Sequence, residues 1–482
     1  MFTNIFGTLV MFLFTKDLLD YVEKHGIKFI DWRFTDLLGR WYHITHSTNF
    51  LDPGVFTSGV AFDSSSVPGW QPIEASDMLL VPDISTAFVD PFSAQATLSV
   101  ICNVVCPGDR TDYSRDPRYT ARKAHHYLVS KSIADKCFFG PEVEFFVFDR
   151  VRFAAESHNS FFKLTSVESS SGASKRFDSS HGYGLKERGG YLCSSPMDSS
   201  HDMRSEVLSM LDEVGVKPLL HHHEVASSQC EVGFHHNELV AAADSVQKCK
   251  YVLRNVVGSY GKSVTFMPKP VVGDNGSGMH CHQSLWKDGN NIFAGDNGTA
   301  GLSDTCLYYI GGILAHGKAL NAFANPSTNS YKRLVPNFEA PTWLAYSHGN
   351  RSAAVRVPFV PSNSTAARRI EVRFPDPLAN PYLCFASQLM AGLDGIKNKI
   401  MPPEVQGRSL YDMSEDEVRG LSSVCFSLEE ALEALDKDRG FLVEGSVFTN
   451  DQIDAYIKLK RQEAHELRIH PHPVEFSNYY AL

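Results

Sequence analysis

Residues Asn275-Gly-Ser-Gly-Met-His-Cys-His-Gln-Ser-Leu285 decide how this chain is read. A glycine-rich turn runs directly into a His-x-His pair. In an extended strand, residues two apart point to the same face. His280 and His282 therefore face one way and Cys281 the other. Three further stretches supply carboxylates in the same alternating style. Gly140-Pro-Glu-Val-Glu-Phe-Phe-Val-Phe148 puts Glu142 and Glu144 on one strand face. His221-His-His-Glu-Val-Ala-Ser-Ser-Gln-Cys-Glu231 projects His222 and Glu224 together, with Glu231 after a short turn. Arg368-Arg-Ile-Glu-Val-Arg-Phe-Pro-Asp376 lines Arg369, Glu371 and Arg373 on one face and Ile370, Val372 and Phe374 on the other. Any one segment reads equally well as a half-buried strand with a solvent face. The four together read differently, because charges on the inner face of apolar strands are costly unless paired or metal-bound.

The rest of the chain sets the frame. Its 482 residues suffice for two or three domains with a large core. Hydrophobic content of 43% and charged content of 21% are those of an ordinary globular protein. The formal charge of −10, from 45 basic and 55 acidic residues, argues against a nucleic-acid partner. Ten cysteines occur without a Cys-x-x-Cys pair, which fits free thiols in a reducing cytoplasm. The apolar stretch from Ile5 to Phe14, about ten residues, is too short to span a bilayer. It lacks the flanks of a signal peptide. No membrane partner is expected, and Met11 offers an alternative start.

Leu18, Leu19, Tyr21 and Val22 recur at helical spacing within 16–26. Strands are expected at Ile27–Phe34 and Thr97–Val105. Cys106-Pro-Gly-Asp and Asp116-Pro-Arg mark a boundary near 107–117. Pro117 opens a helix running to about Lys131. Two long helices are expected near 199–214 and 303–325. Ser166 to Ser180 reads as a mobile surface insertion. Capping-box patterns occur at Ser414/Glu417, Ser427/Glu430 and Thr449/Gln452.

Assembled, these segments resemble bacterial type I glutamine synthetase from about Ile27 to the C-terminus. The resemblance is carried by Phe62-Asp-Ser-Ser-Ser, Gly140-Pro-Glu-Val-Glu-Phe-Phe, His222-His-Glu-Val-Ala and Lys269-Pro to His282. Asn325-Pro-Ser-Thr-Asn-Ser-Tyr-Lys-Arg-Leu-Val-Pro and Arg369-Ile-Glu-Val-Arg-Phe-Pro-Asp extend it. It implies an α+β fold: an N-terminal β-grasp domain (16–112) and a larger α/β catalytic domain with a curved antiparallel sheet and a helical tail (113–482). Residues 1–15 form an extension of unknown role. The implied reaction joins ammonium to L-glutamate with ATP, through γ-glutamyl phosphate. The implied assembly is a homo-oligomer, a dodecamer of two six-membered rings, with each active site shared between neighbouring subunits.

The resemblance also assigns residues. Glu144, Glu224 and Glu231 would hold a first cation, and Glu142, His280 and Glu371 a second. Five glutamates and one histidine suit Mg²⁺ or Mn²⁺, at least two ions per active site, better than structural zinc. Arg351 and Arg356 match the arginines that stabilise the phosphoryl group, and guanidinium forks fit phosphate oxygens. His282 and Ser284 match nucleotide contacts, and His222 approaches the γ-phosphate. Asn275 and Gly276 would bind the amino-acid end of glutamate, and Arg333 and Arg373 would hold carboxylates. Asp63 matches the ammonium-binding aspartate, reaching in from the neighbouring subunit. Glu339 matches a carboxylate that closes the glutamate entrance and keeps water from the acyl phosphate. Leu410-Tyr-Asp-Met places Tyr411 where one branch of the family is adenylylated by an adenylyltransferase, in a loop expected to be exposed.

The chain departs from the family pattern in three places. Leu219 stands where a glutamate is usual, Ser227-Ser228 where a glycine precedes the glutamine, and Ala366 where a lysine is common. Two rivals stay open: a γ-glutamyl-polyamine or amine ligase on the same scaffold, and a non-catalytic ring scaffold. Asp63 argues against the first, and the retained ligands against the second.

Overall fold

The computed structural model describes residues 14–169, 184–295, 301–361, 364–403, 407, 409–414, 417 and 420–480. The alternative start at Met11, and most of the apolar and serine-rich stretches noted above, lie outside the described residues. The N-terminal sheet comprises β1 (Phe29–Thr35), β2 (Trp41–Ser47), β3 (Val60–Asp63), β4 (Asp77–Pro82), β5 (Phe88–Val89) and β6 (Thr97–Val105). Their spatial order is β2-β1-β6-β4-β3, with β5 on β6. β1 and β6 run parallel and the other pairs antiparallel. Ile30, Trp32 and Phe34 alternate into the core, which Leu18 and Val22 of helix Thr15–Lys24 join. The other face of β1 is also buried, because its charges are paired. Arg33 meets Asp31 at 2.7 Å and Asp90 at 2.9 Å, and its guanidinium lies 4.1 Å from the Tyr251 ring. A buried ion pair is tolerable only when satisfied in this way.

The larger sheet is built from β7 (Lys136–Phe148), followed in the chain by a separate hairpin of β8 (Arg150–Glu156) and β9 (Asn159–Thr165). Its other main strands are β10 (Pro218–His223) and β11 (Gln229–Phe234). Short β12 (Asn237–Glu238) and β13 (Ser263–Thr265) pair with β7. Then come β14 (Met279–Lys287), its partner β15 (Asn290–Asn291), β16 (Tyr346–His348), β17 (Val355–Val357) and β18 (Ile370–Val372). The order is β10-β11-β7-β14-β18-β17-β16, a curved sheet that is antiparallel except between β16 and β17. The α+β class and two-part architecture stand as expected.

Helices back this sheet. Helix Pro117–Ser130 starts at the expected proline, with Asp116 capping the Arg118 N–H. The expected helix near 199–214 spans His201–Glu213. The one expected near 303–325 is two, Asp304–Ala315 and Gly317–Ala324, broken at His316. The longest described helix, Leu239–Ser259, was not anticipated. Its buried face carries Asp244, Gln247, Lys248 and Lys250 among the apolar residues, which erases the amphipathic contrast that a sequence reading needs. These groups bind across the fold. Asp244 takes Arg118 at 3.0 Å, and Gln247 donates to Thr35 in β1 at 3.0 Å. Helix Pro381–Asn398 crosses Asp304–Ala315 closely: a Cβ on Gly312 would lie 2.0 Å from the Ala391 carbonyl. The serine-rich insertion is anchored at its start, not mobile there, since Ser166 and Glu168 are buried and hydrogen-bonded. Ser427 and Thr449 cap their helices, and Ser414 bonds Glu417. All ten cysteines are free thiols.

His316 fills the break between the two helices. Its Nδ1 lies 2.7 Å from Asp438, its Nε2 3.0 Å from Asp394, and its ring stacks on Phe441 at 3.9 Å. Burial opposes a charge on the ring, but the two carboxylates outweigh it and raise the pKa above 6.5. A group whose folded pKa is raised adds stability that is full below its unfolded pKa and is lost as pH rises through the folded value. As pH rises above the ordinary histidine value of about 6.5, the melting temperature of the wild type should therefore fall more steeply than that of His316→Gln. Thermal melts across that rise check it; parallel profiles would remove His316 as a source of pH dependence.

Candidate active site

Alternation puts each polar side chain on the inner face, and strand register brings the strands' contributions together. His280 pairs with Glu142 across β14 and β7. Glu231 lies opposite both Glu144 and His222, and Glu371 opposite both His282 and Arg356. Cross-strand neighbours of this kind stand about 5 Å apart. Two clusters result. Donor atoms of Glu142, His280 and Glu371 lie within 4.8 Å of one another, as do those of His222, Glu224 and Glu231. A cavity of about 590 Å³ joins the clusters; Asn275, Gly276, Arg333, Glu339, Arg351 and Tyr411 also line it.

Glu144, expected to share a cation with Glu224 and Glu231, is not within their cluster; His222 is, 3.5 Å from Glu224 and 3.5 Å from Glu231. Glu144 sits between the two. Its Oε2 accepts Gln229 Nε2 at 3.0 Å and Gly278 N–H at 2.9 Å, and its Oε1 lies 3.7 Å from His280 Nε2. Burial, then Glu224, pushes the Glu144 carboxyl up to about 8. Burial and Glu231 push Glu224 up to about 7. Burial works against Glu371 too, but Arg373 holds it down at about 2. Burial lowers His280 to about 4, so its imidazole is neutral and offers a lone pair. Crowded carboxylates of this kind call for a proton or a cation between them. An oxygen-rich donor set with an imidazole fits a hard divalent cation.

The arginines divide. Arg351 lines the cavity. Arg373, which also lines the cavity, and Arg356 both clamp Glu371, Arg356 at 2.5 Å, and Glu371 is 1% exposed. Arg333 is buried and gives its N–H groups to the carbonyls of Phe374 (2.9 Å), Arg373 (3.1 Å) and Pro375 (3.3 Å). His282 reaches the cavity through Glu142, its Nε2 2.9 Å from that carboxylate, and its Nδ1 faces Arg369. Ser284 accepts the Trp286 indole N–H at 3.1 Å. Gly276 must be glycine, since a Cβ there would lie 2.3 Å from the Pro268 carbonyl. Asp63 ends β3 on the exposed surface, accepting Ser65 N–H at 2.8 Å. The fold of one chain does not bring it into the cavity.

Two segments differ from expectation. Tyr411 is not in an open loop. It stands on a single 3₁₀ turn, Leu410–Asp412, half-buried, and its hydroxyl donates to the Ala340 carbonyl at 3.2 Å. Burial raises that hydroxyl to about 12. Around Glu339 the backbone is strained: Asn337 and Glu339 both take left-handed φ, 69° and 59°. Between them the Phe338 ring is held by Lys269 Nζ at 3.9 Å and Arg188 at 4.5 Å. Of the polar and aromatic cavity residues, Arg188, Tyr191, Gln229 and Phe338 were missed. Gln229 was legible, because it lies two residues before Glu231 and so shares its strand face. The three departures from the family pattern leave the clusters intact. Leu219 is exposed, Ala366 lies in a surface turn, and Ser228 takes the left-handed φ of 67° that glycine would accept freely.

A curved sheet that gathers two carboxylate–imidazole clusters and four arginines in one cavity fits an enzyme that handles phosphate with divalent cations. Residues 114–479 match the glutamine synthetase catalytic domain, and residues 26–107 the glutamine synthetase beta-grasp domain. The chain is 52% identical over 468 residues to glutamine synthetase of Rhizobium meliloti (strain 1021), covering 97% of this chain and 99% of that one. A relative from Cupriavidus pinatubonensis (strain JMP 134 / LMG 1197) at the same identity and coverage is named 3-hydroxylaminophenol mutase. Among solved structures, Plasmodium falciparum glutamine synthetase aligns with a TM-score of 0.90 at 31% identity, covering 98% of this chain and 99% of that one. This chain belongs to the glutamine synthetase family, is an enzyme of that type, and its reaction is glutamine synthesis. The family uses ATP and divalent metals. No helix among the described residues is long and apolar enough to cross a membrane.

Proposed function

We propose that glutamine synthesis runs in this cavity by way of γ-glutamyl phosphate, with two Mg²⁺ or Mn²⁺ ions. Glu142, His280 and Glu371 would hold one, and Glu224 and Glu231, with Glu144 and His222 beside them, the other. The observation that carries this reading is the pair of donor clusters opening on a single cavity. Bound cations would neutralise charge on the transferred phosphoryl group. Arg351 takes phosphoryl oxygens from the cavity wall, and Arg356, paired with Glu371, adds its charge behind them. His222 stands towards the γ-phosphate, and His282 and Ser284 on the nucleotide side. Asn275 and Gly276 receive the amino-acid end of glutamate. Arg373 and Arg333 favour its carboxylates, Arg333 through its charge, since its N–H groups already serve backbone carbonyls. Glu339 closes the entrance against water. Asp63 of a neighbouring subunit takes the ammonium proton, which requires an oligomer; a dodecamer of two six-membered rings is the assembly proposed.

The proposed domains are 16–112 and 113–482, and the proposed location is the cytoplasm. Adenylylation of Tyr411 by an adenylyltransferase would first require its bond to Ala340 to open. The check is an AMP label present on wild type and absent from Tyr411→Phe. An assay with ammonia and a panel of amines tests the whole reading. Glutamine formation with ammonia preferred supports it. Preference for an amine favours the γ-glutamyl-amine ligase, and no turnover favours the scaffold.

A further inference from the structure

The turn between β10 and β11 starts at Glu224 and leads into Gln229 and Glu231 of β11, so its closure sets the geometry of the second cluster. Behind it lies a buried carboxylate that the reaction as read above does not use. Glu168 is 3% exposed. Its Oε2 accepts the Ser228 N–H at 2.9 Å and faces His223 Nε2 at 3.1 Å. Its Oε1 accepts the Ser199 N–H at 3.0 Å and the Ser199 hydroxyl at 2.6 Å. The other ring nitrogen of His223 lies 2.6 Å from the Glu224 carbonyl. One carboxylate oxygen thus grips the turn at both ends: beside Glu224 through His223, and beside Gln229 at Ser228.

The grip is close-fitting. Ser228 holds its left-handed φ of 67° with its N–H on Glu168 and its hydroxyl 2.5 Å from that of Ser166. Gly190 donates its N–H to the Val225 carbonyl at 3.0 Å. A Cβ on Gly190 would lie 2.5 Å from both the Glu224 carbonyl and the His223 ring. The turn therefore has little room to relax, and Gln229 passes its placement on to Glu144 at 3.0 Å.

We propose that Glu168 is a positioning residue for the cation site. Acting through His223 and Ser228, it sets the separation of Glu224 and Glu231 and aims Glu224 into the cavity. This rests on the reading of Glu224 and Glu231 as cation donors. Carboxylates that orient the ligands of a metal are worth about 10- to 100-fold in its affinity. Glu168→Gln keeps the side-chain shape but turns an amide N–H₂ towards one of the two donor pairs, so that pair loses its acceptor.

The test is a Mn²⁺ titration of full-length, cation-stripped protein, with free Mn²⁺ read by electron paramagnetic resonance. In Glu168→Gln one class of sites should weaken about tenfold or more, while the class held by Glu142, His280 and Glu371 keeps its affinity. The melting temperature of the cation-free protein should stay within about two degrees of wild type. Ser199→Ala, which removes one hydroxyl from the far oxygen, should weaken the same class by a smaller factor. Should Glu168→Gln fail to fold, Ser199→Ala decides alone. Wild-type isotherms in the folded variants would overturn the proposal. So would equal weakening of both classes in step with a falling melting temperature, which marks general destabilisation. If wild type itself bound no Mn²⁺, the cation-site reading would fall and this inference with it, a result distinct from a variant that matches a binding wild type.

Discussion

Glu371→Ala is expected to lower glutamine synthesis by about three orders of magnitude or more. Glu371 belongs to the first donor cluster, and loss of a cation that stabilises a phosphoryl group costs several kcal/mol of barrier, each ~1.4 kcal/mol being tenfold. A second consequence follows from its burial. Arg356 and Arg373 both pair with Glu371, which is 1% exposed, so its removal leaves two charges uncompensated. Breaking a buried pair from one side costs about 3–5 kcal/mol. The variant should therefore melt lower and gain less protection from Mn²⁺ than wild type. Glu371→Gln, which keeps the volume, should recover part of the melting temperature and little of the activity. Steady-state synthesis at saturating Mg²⁺ and melts with and without Mn²⁺ read both effects. Near-normal turnover in Glu371→Ala would take this residue out of the cation site.

Asp63→Ala is expected to act in the opposite pattern, with a large catalytic loss and no change in stability. Asp63 is exposed, and it accepts hydrogen bonds from the backbone N–H and the hydroxyl of Ser65 next to it, so folding does not depend on it. A positioned base contributes about 10²- to 10⁴-fold. Ammonia-dependent synthesis should fall by that order while ATP binding stays near wild type. Equal losses in both would mark a structural residue. Because one chain leaves Asp63 outside its own cavity, the effect should also be complementable. Oligomers mixed from Asp63→Ala and Glu371→Ala subunits should regain a fraction of the activity, since some interfaces then combine two intact halves. Verified mixed oligomers without recovery would rule out a site shared in this way.

Much of this arrangement was legible in the sequence, and for local reasons. Alternation at period two told which side chains share a face, so Glu142 with Glu144, His280 with His282 and Glu371 with Arg373 followed from strand geometry alone. Proline at the first turn is likewise a local constraint, which is why the helix from Pro117 was found. Helix Leu239–Ser259 was not found. Its buried lysines and aspartate are acceptable only because partners from distant strands and helices satisfy them.

What only the tertiary structure decided is who stands opposite whom. Register between β10, β11 and β7 put His222 beside Glu224 and Glu231, and left Glu144 bridging the two clusters under Gln229. Packing of the 410–412 turn on Ala340 half-buried a tyrosine that its neighbours in sequence would leave exposed. The residue types and their alternation are properties of single strands, and the sequence by itself determined them. The pairing of donors across strands, and the burial that shifts their protonation, depend on contacts between segments far apart in the chain, which no local pattern encodes.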